Sequence, residues 1–168
     1  KVADITEAEW TRQMGVNVVG AATTVRLALP ELRKTQGRVV LVASVASMIY
    51  SPRTGAYNAS KAAVRAMGLT LSLELHGSGV SCTTIHPGFV ESDISRVDNS
   101  GVYHEDWEDR RPKALMWPAD RAGRVMVRAI EKRRREYVFT GHGIIGGWLG
   151  RHMPGLVHFL ITRKWAKL

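Results

Sequence analysis

Apolar residues return every three or four positions from Val18 through Ala22 and Val25 to Leu29, the period of an amphipathic helix. Thr6 with Glu9 three residues on has capping-box spacing, so the helix is expected over 6–35, bent or ended near Pro30. Past Gly37 the pattern changes. "RVVLVAS", residues 38–44, is nearly all apolar, as in a parallel strand buried on both faces. "AYNASKAAVRAMGLTLSLELHGSG" returns to the helical period, with a helix expected over 57–76 and glycines closing it. "VSCTTIH" is a second β-branched run, ended by Pro87 and Gly88. A polar, irregular stretch covers 91–117. The helical "PADRAGRVMVRAIEKRRRE" follows, with Pro118 near its start, and "YVFT" reads as a last short strand. The order α-β-α-β-loop-α-β argues a parallel α/β architecture with helices crossing between strands.

At 168 residues the chain fits one domain, and 45% hydrophobic with 23% charged residues reads as globular. The lone Cys82 excludes an internal disulfide and is expected to be a buried strand residue. No apolar run approaches the ~18 residues of a membrane span. The formal charge of +9 is uneven: residues 1–109 hold ten Lys/Arg against twelve Asp/Glu, residues 110–168 fourteen against three. A basic stripe of Arg121, Arg124, Arg128, Lys132 and Arg135 lies opposite Ala122, Val125, Met126 and Ala129 at helical spacing. No nucleic-acid-binding signature accompanies it, so nucleic acid is not the expected partner and a solvated face is.

In parallel sheets active sites gather beyond the carboxyl ends of the strands. Ser44 ends the first strand, and Tyr57 stands 13 residues later, at the start of the next helix. Lys61 lies one helical turn beyond Tyr57, on the same face. A phenol with a pKa near ~10 is a poor base at neutral pH, and a neighbouring ammonium favours its ionised form. Asn17 precedes Ser44 by 27 residues, and Gly88 marks the exit of the second strand. Together a hydroxyl, a phenol, an ammonium and an amide suit the polarisation and protonation of a carbonyl oxygen. Taken singly, Asn17 is equally a helix-face amide and Ser44 a strand-end turn residue.

Asn17 in "GVNVVGA", Ser44 in "VVLVASVAS", Tyr57 and Lys61 in "YNASK", and Pro87–Gly88 in "IHPGFVESD" resemble the short-chain dehydrogenases/reductases, in order and spacing, across roughly residues 5–140. The resemblance implies the C-terminal half of a Rossmann-like doubly wound parallel sheet, and a hydride transfer between NAD or NADP and a secondary alcohol or ketone. It implies Tyr57 as general acid or base. Lys61 would lower the Tyr57 pKa and hold the nicotinamide ribose, Ser44 would bond the substrate oxygen, and Asn17 would support a proton relay through Lys61. Cofactor contacts are implied for Tyr57, Lys61, Pro87, Gly88, Val90 and Ser92, where the family often has Thr at the last. Residues 91–117 fall at the family's substrate loop, and their aromatics with Met48, Ile49 and Phe89 hint at an apolar substrate. Homo-oligomers pairing through 6–35 and 57–76 are expected on the same ground.

The glycine-rich turn that would hold the pyrophosphate precedes the matched elements in the family, so the chain is expected to be the catalytic half of a longer enzyme. "GHGIIG", residues 141–146, fits G-x-G-x-x-G, but no acidic residue follows it and no second strand, so it is read as a glycine-rich strand exit. Residues 1–140 then form the catalytic half and 141–168 a tail. In 148–168, Trp148, Leu149, Met153, Leu156, Phe159, Leu160 and Trp165 interleave with Arg151, Arg163, Lys164 and Lys167. This tail is expected to pack on protein, or to lie on an anionic membrane surface. The alternative function is accordingly a truncated, non-catalytic fragment acting as a membrane-surface or partner-binding module. The expected localisation is cytoplasmic, or peripheral at a membrane.

Overall fold

The computed structural model describes residues 1–98 and 100–165. Three strands, β1 (Arg38–Val42), β2 (Ser81–His86) and β3 (Glu136–Val138), form a parallel sheet in the order β1-β2-β3. The register pairs Val40 with Thr83, Thr84 with Glu136 and His86 with Val138. Both "RVVLVAS" and "VSCTTIH" are thus strands. β2, between two neighbours, is buried almost throughout, as expected for a central parallel strand.

Helices cover both faces. The first helical run comprises α1 (Glu7–Met14), a π-helical turn (Gly15–Val19) and α2 (Gly20–Thr35). Its capping box is formed: Thr6 Oγ1 accepts the Glu9 N–H, and Glu9 accepts the Thr6 N–H at 2.8 Å. With α3 (Gly55–Glu74), this run packs Val25, Leu29, Val64 and Leu71 onto Val39, Leu41 and Cys82. The other face takes α4 (Ala119–Glu131), whose Ala122, Val125 and Met126 meet Ile85 and Phe139. Each large apolar side chain so buried contributes about 1.5–3 kcal/mol. The sequence reading of doubly wound α/β layering holds.

Four local readings need correction. Pro30 lies inside α2 without ending it: Pro30 is exposed, and Leu29 and Leu32 hold the helix to the core on either side. The basic helix stops at Glu131, because Arg133 turns the chain at φ 49°. Lys132 and Arg135 therefore leave the stripe. Of those that remain, Arg121 stacks on Trp117 at 4.0 Å and Arg124 pairs with Asp120 at 2.8 Å; Arg133, outside the stripe, donates to the Gln36 and Gly79 carbonyls. The last strand ends at Val138, short of the full "YVFT" run. The glycine-rich stretch is not a loose strand exit; it opens α5 (Gly141–His152), followed by α6 (Pro154–Trp165).

Residues 91–117 form a loop whose ends are joined by a bridge between Val90 and Trp117. A cleft of about 730 Å³ lies along it, lined by Phe89, Trp107, Pro112, Asp106, Glu108 and Arg111, among others. Charged groups stand beside the aromatics, so its lining is mixed. Among the described residues no helix is long and apolar enough to cross a membrane, and no cluster of ligands suits a metal ion.

Candidate active site

Ser44 caps the short helical turn Val45–Ser47 that follows β1, its Oγ accepting the Ala46 N–H at 3.1 Å. With that acceptor position taken, its own O–H is left to donate elsewhere. The ladder continues past the strand ends: Ala43 N–H reaches the Ile85 carbonyl at 2.9 Å, and Val45 N–H the Pro87 carbonyl at 3.0 Å. Ser44 is thereby fixed beside Pro87–Gly88.

Tyr57 and Lys61 occupy the first two turns of α3. Lys61 Nζ lies 5.8 Å from the Tyr57 ring centroid and donates to the Val42 carbonyl at 2.9 Å. This bond ties the Tyr57–Lys61 face of α3 to the end of β1, two residues before Ser44. Desolvation of the partly buried amine lowers the Lys61 pKa from its ordinary 10.5.

Asn17 sits in the π-helical turn, where the widened winding breaks an otherwise regular helix. Its Nδ2 donates to Ser60 Oγ at 2.9 Å, and Ser60 Oγ donates to the Tyr57 carbonyl at 2.8 Å. Ser60 is fully buried. It lies between Tyr57 and Lys61 in sequence, three residues after the former, and that spacing was its only sequence signal.

The Pro87–Val90 turn is braced from two sides. Phe89 N–H donates to His142 Nε2 at 3.1 Å, and the two rings stack at 5.1 Å. Desolvation lowers the His142 pKa, which favours the neutral, accepting imidazole. A Cβ on Gly88 would run into His142 Nε2 and Thr140 Oγ1, so a larger residue there would displace the His142 ring from Phe89. On the other side Arg111 donates to the Val90 carbonyl at 2.9 Å and the Ser92 carbonyl at 2.7 Å. Arg111 is itself held by Asp109, whose carboxyl its hydrogen bonds keep down at about 2.

Behind Ser44 lies a charged cluster that the sequence did not announce. His86, fully buried, places Nδ1 3.1 Å from Ser47 Oγ and 3.2 Å from the Ser44 carbonyl. Its Nε2 stands 3.0 Å from Glu136 Oε1, within ion-pair distance but outside hydrogen-bond geometry. Arg65 and Arg151 reach the same oxygen, each at 2.7 Å. Burial alone would raise the Glu136 pKa; His86, Arg65 and Arg151 outweigh it and hold the group at about 2.

The glycines of α5 explain its position. Gly143, Gly147 and Gly150 share one helical face and press on Val45 and Met48 of the turn after Ser44. Of the motif that mimics a phosphate-binding turn, Gly143 alone takes part in this contact; a Cβ at Gly141 would meet nothing within 4 Å.

These features, all at the carboxyl ends of the strands, define a parallel α/β sheet with Ser44, Tyr57 and Lys61 gathered at one end. The chain belongs to the short chain dehydrogenase family, whose pattern it matches over residues 1–102. It is 38% identical over 96 residues to 2,3-dihydro-2,3-dihydroxybenzoate dehydrogenase of Escherichia coli (strain K12), covering 55% of this chain and 38% of that protein. It is 32% identical over 149 residues to dehydrogenase/reductase SDR family member 4 of Homo sapiens, covering 87% of this chain and 53% of that one. A short chain dehydrogenase/reductase from Burkholderia phymatum, solved in complex with NAD, superposes with a TM-score of 0.73 at 27% identity, over 86% of this chain and 57% of that chain. The chain thus spans about half, or less, of the length of these relatives.

Proposed function

We propose that the chain is the catalytic half of an NAD(P)-dependent oxidoreductase acting on a secondary alcohol or ketone, with Tyr57 as general acid/base. The observation that carries this reading is the joint placement of Ser44, Tyr57 and Lys61: Lys61 binds the β1 end beside Ser44 while flanking the Tyr57 ring. Ser44, its oxygen already accepting from Ala46, donates a hydrogen bond to the substrate oxygen and keeps its proton. Tyr57 gives its phenolic proton to that oxygen in reduction and takes it back in oxidation. The Lys61 ammonium stabilises the phenolate left behind. Asn17, through Ser60, holds the Tyr57–Lys61 turn in place.

The fit to a nicotinamide cofactor rests on the Pro87–Ser92 segment. The Val90 carbonyl is taken by Arg111, whereas its N–H has no acceptor among the described residues and suits an incoming carboxamide. Lys61, Gly88, Val90 and Ser92 are the residues that would hold the cofactor, alongside Tyr57 and Pro87. When bound it supplies hydride exchange with the substrate carbon. The solved Burkholderia relative carrying NAD supports this reading; NAD and NADP are both compatible with it. Pairing of two copies through the first helical run is supported by Val16, Val19 and Leu27, each more than 60% exposed; sedimentation of the full-length protein tests it.

The test of the mechanism is the pH profile of alcohol oxidation by the full-length protein. Lys61→Met should move the basic group that controls the rate upward by about one pH unit or more and weaken cofactor binding. An unmoved profile would refute the Tyr57–Lys61 pairing.

A further inference from the structure

We infer that the α5–α6 hairpin is a docking face for an anionic membrane surface. Three observations converge on it. One face of α5 carries the glycines that press on Val45 and Met48, and the opposite face carries Ile144, Ile145 and Trp148, each more than half exposed. On α6, whose main packing is against α5, Leu156, Phe159, Leu160 and Arg163 recur at i, i+3, i+4 and i+7 and form one outward stripe. Leu156, Phe159 and Leu160 are all exposed, and Arg163 lies 5.4 Å from the Phe159 ring centroid.

Charge names the occupant. From residue 137 to the end the sequence contains no Asp or Glu; Arg163 and Lys164 are exposed on α6, Arg151 is held by Glu136, and Lys167 lies outside the described residues. Apolar and aromatic side chains flanked only by cations are the composition of a helix lying in a bilayer interface, with its apolar side among acyl chains and its basic groups at anionic headgroups. Two hairpins facing each other would instead bring like charges together. No helix among the described residues can cross a bilayer, so the hairpin lies on the surface. It hangs from β3, at the sheet edge away from β1, and α5 sits on the Ser44 turn, so this face lies at the same end of the sheet as the candidate active site.

The experiment is co-sedimentation of the full-length protein with phosphatidylcholine vesicles, plain or with about one third phosphatidylserine. Binding is expected to the anionic vesicles only, and to fall about fivefold or more as salt rises from about 0.05 to about 0.5 M. Two double variants probe the two halves of the argument: Phe159→Asp with Leu160→Asp, and Arg163→Glu with Lys164→Glu. All four side chains are exposed, so circular dichroism should be unchanged while binding is lost. Absent binding, equal binding to neutral vesicles, or binding indifferent to both variants overturns the proposal. A dimer dissociated by the aspartate pair, without vesicle binding, also overturns it and assigns the face to a second copy.

Discussion

His142 Nε2 accepts the backbone N–H of Phe89 at 3.1 Å, so α5 holds the turn that follows β2 from 53 residues away. The bond needs a neutral imidazole, because the imidazolium has no acceptor. The folded pKa is depressed below the ordinary 6.5, so this contribution is complete above about 6.5 and is lost as pH falls through the folded value. His142→Ala should cost about 1 kcal/mol at neutral pH. In paired melting curves the gap to the wild type should narrow below about pH 6.5. A gap constant with pH would contradict the assignment.

Gly150 and Gly123 are both helical glycines, yet opposite outcomes are expected. A Cβ at Gly150 meets the Met48 carbonyl, which is backbone and cannot swing aside. Gly150→Ala should destabilise by about 1–3 kcal/mol and disturb the Ser44 turn. Nothing lies within 4 Å of a Cβ at Gly123 in α4. Gly123→Ala should therefore stabilise by about 0.5–1 kcal/mol. Urea midpoints of the two variants decide the matter.

Glu136 gathers His86, Arg65 and Arg151 on one oxygen. Its pKa is held at about 2 against an ordinary 4.5, so the stability it supplies is complete above about 4.5 and is lost as pH falls towards 2. Glu136→Gln should lower stability by about 1–3 kcal/mol at neutral pH. Acid titration followed by circular dichroism should show the wild type and variant converging below pH 4.5.

Much of the fold was legible because its signals are local. "RVVLVAS" and "VSCTTIH" are strands by composition alone, though only the second is buried on both faces, β1 being an edge strand with Val42 half exposed, and Thr6 with Glu9 marks a helix start by chemistry. α5 was not legible: its glycines give it neither propensity nor period, and contact with Val45 and Met48 positions it. The π-helical turn at Asn17 leaves no trace in apolar spacing, since it shifts the winding by a single residue. The placement of Ser44 at a strand end and of Tyr57 and Lys61 in the first turns of α3 could be read from order and spacing. Glu136, Arg111 and His142 could not, because the segments they brace (His86, the Val90–Ser92 turn and Phe89) lie 19 or more residues away and only the folded chain brings them together.

Tyr57→Phe in the full-length protein tests the central claim most directly. It removes one hydroxyl from a half-buried ring and leaves the ring itself in place. The account predicts a fall in turnover of roughly 100- to 10,000-fold, the usual worth of a general acid or base, with melting temperature close to wild type. Turnover within about threefold of wild type would mean that the proton travels by another route, and the mechanism proposed for Tyr57 would be wrong.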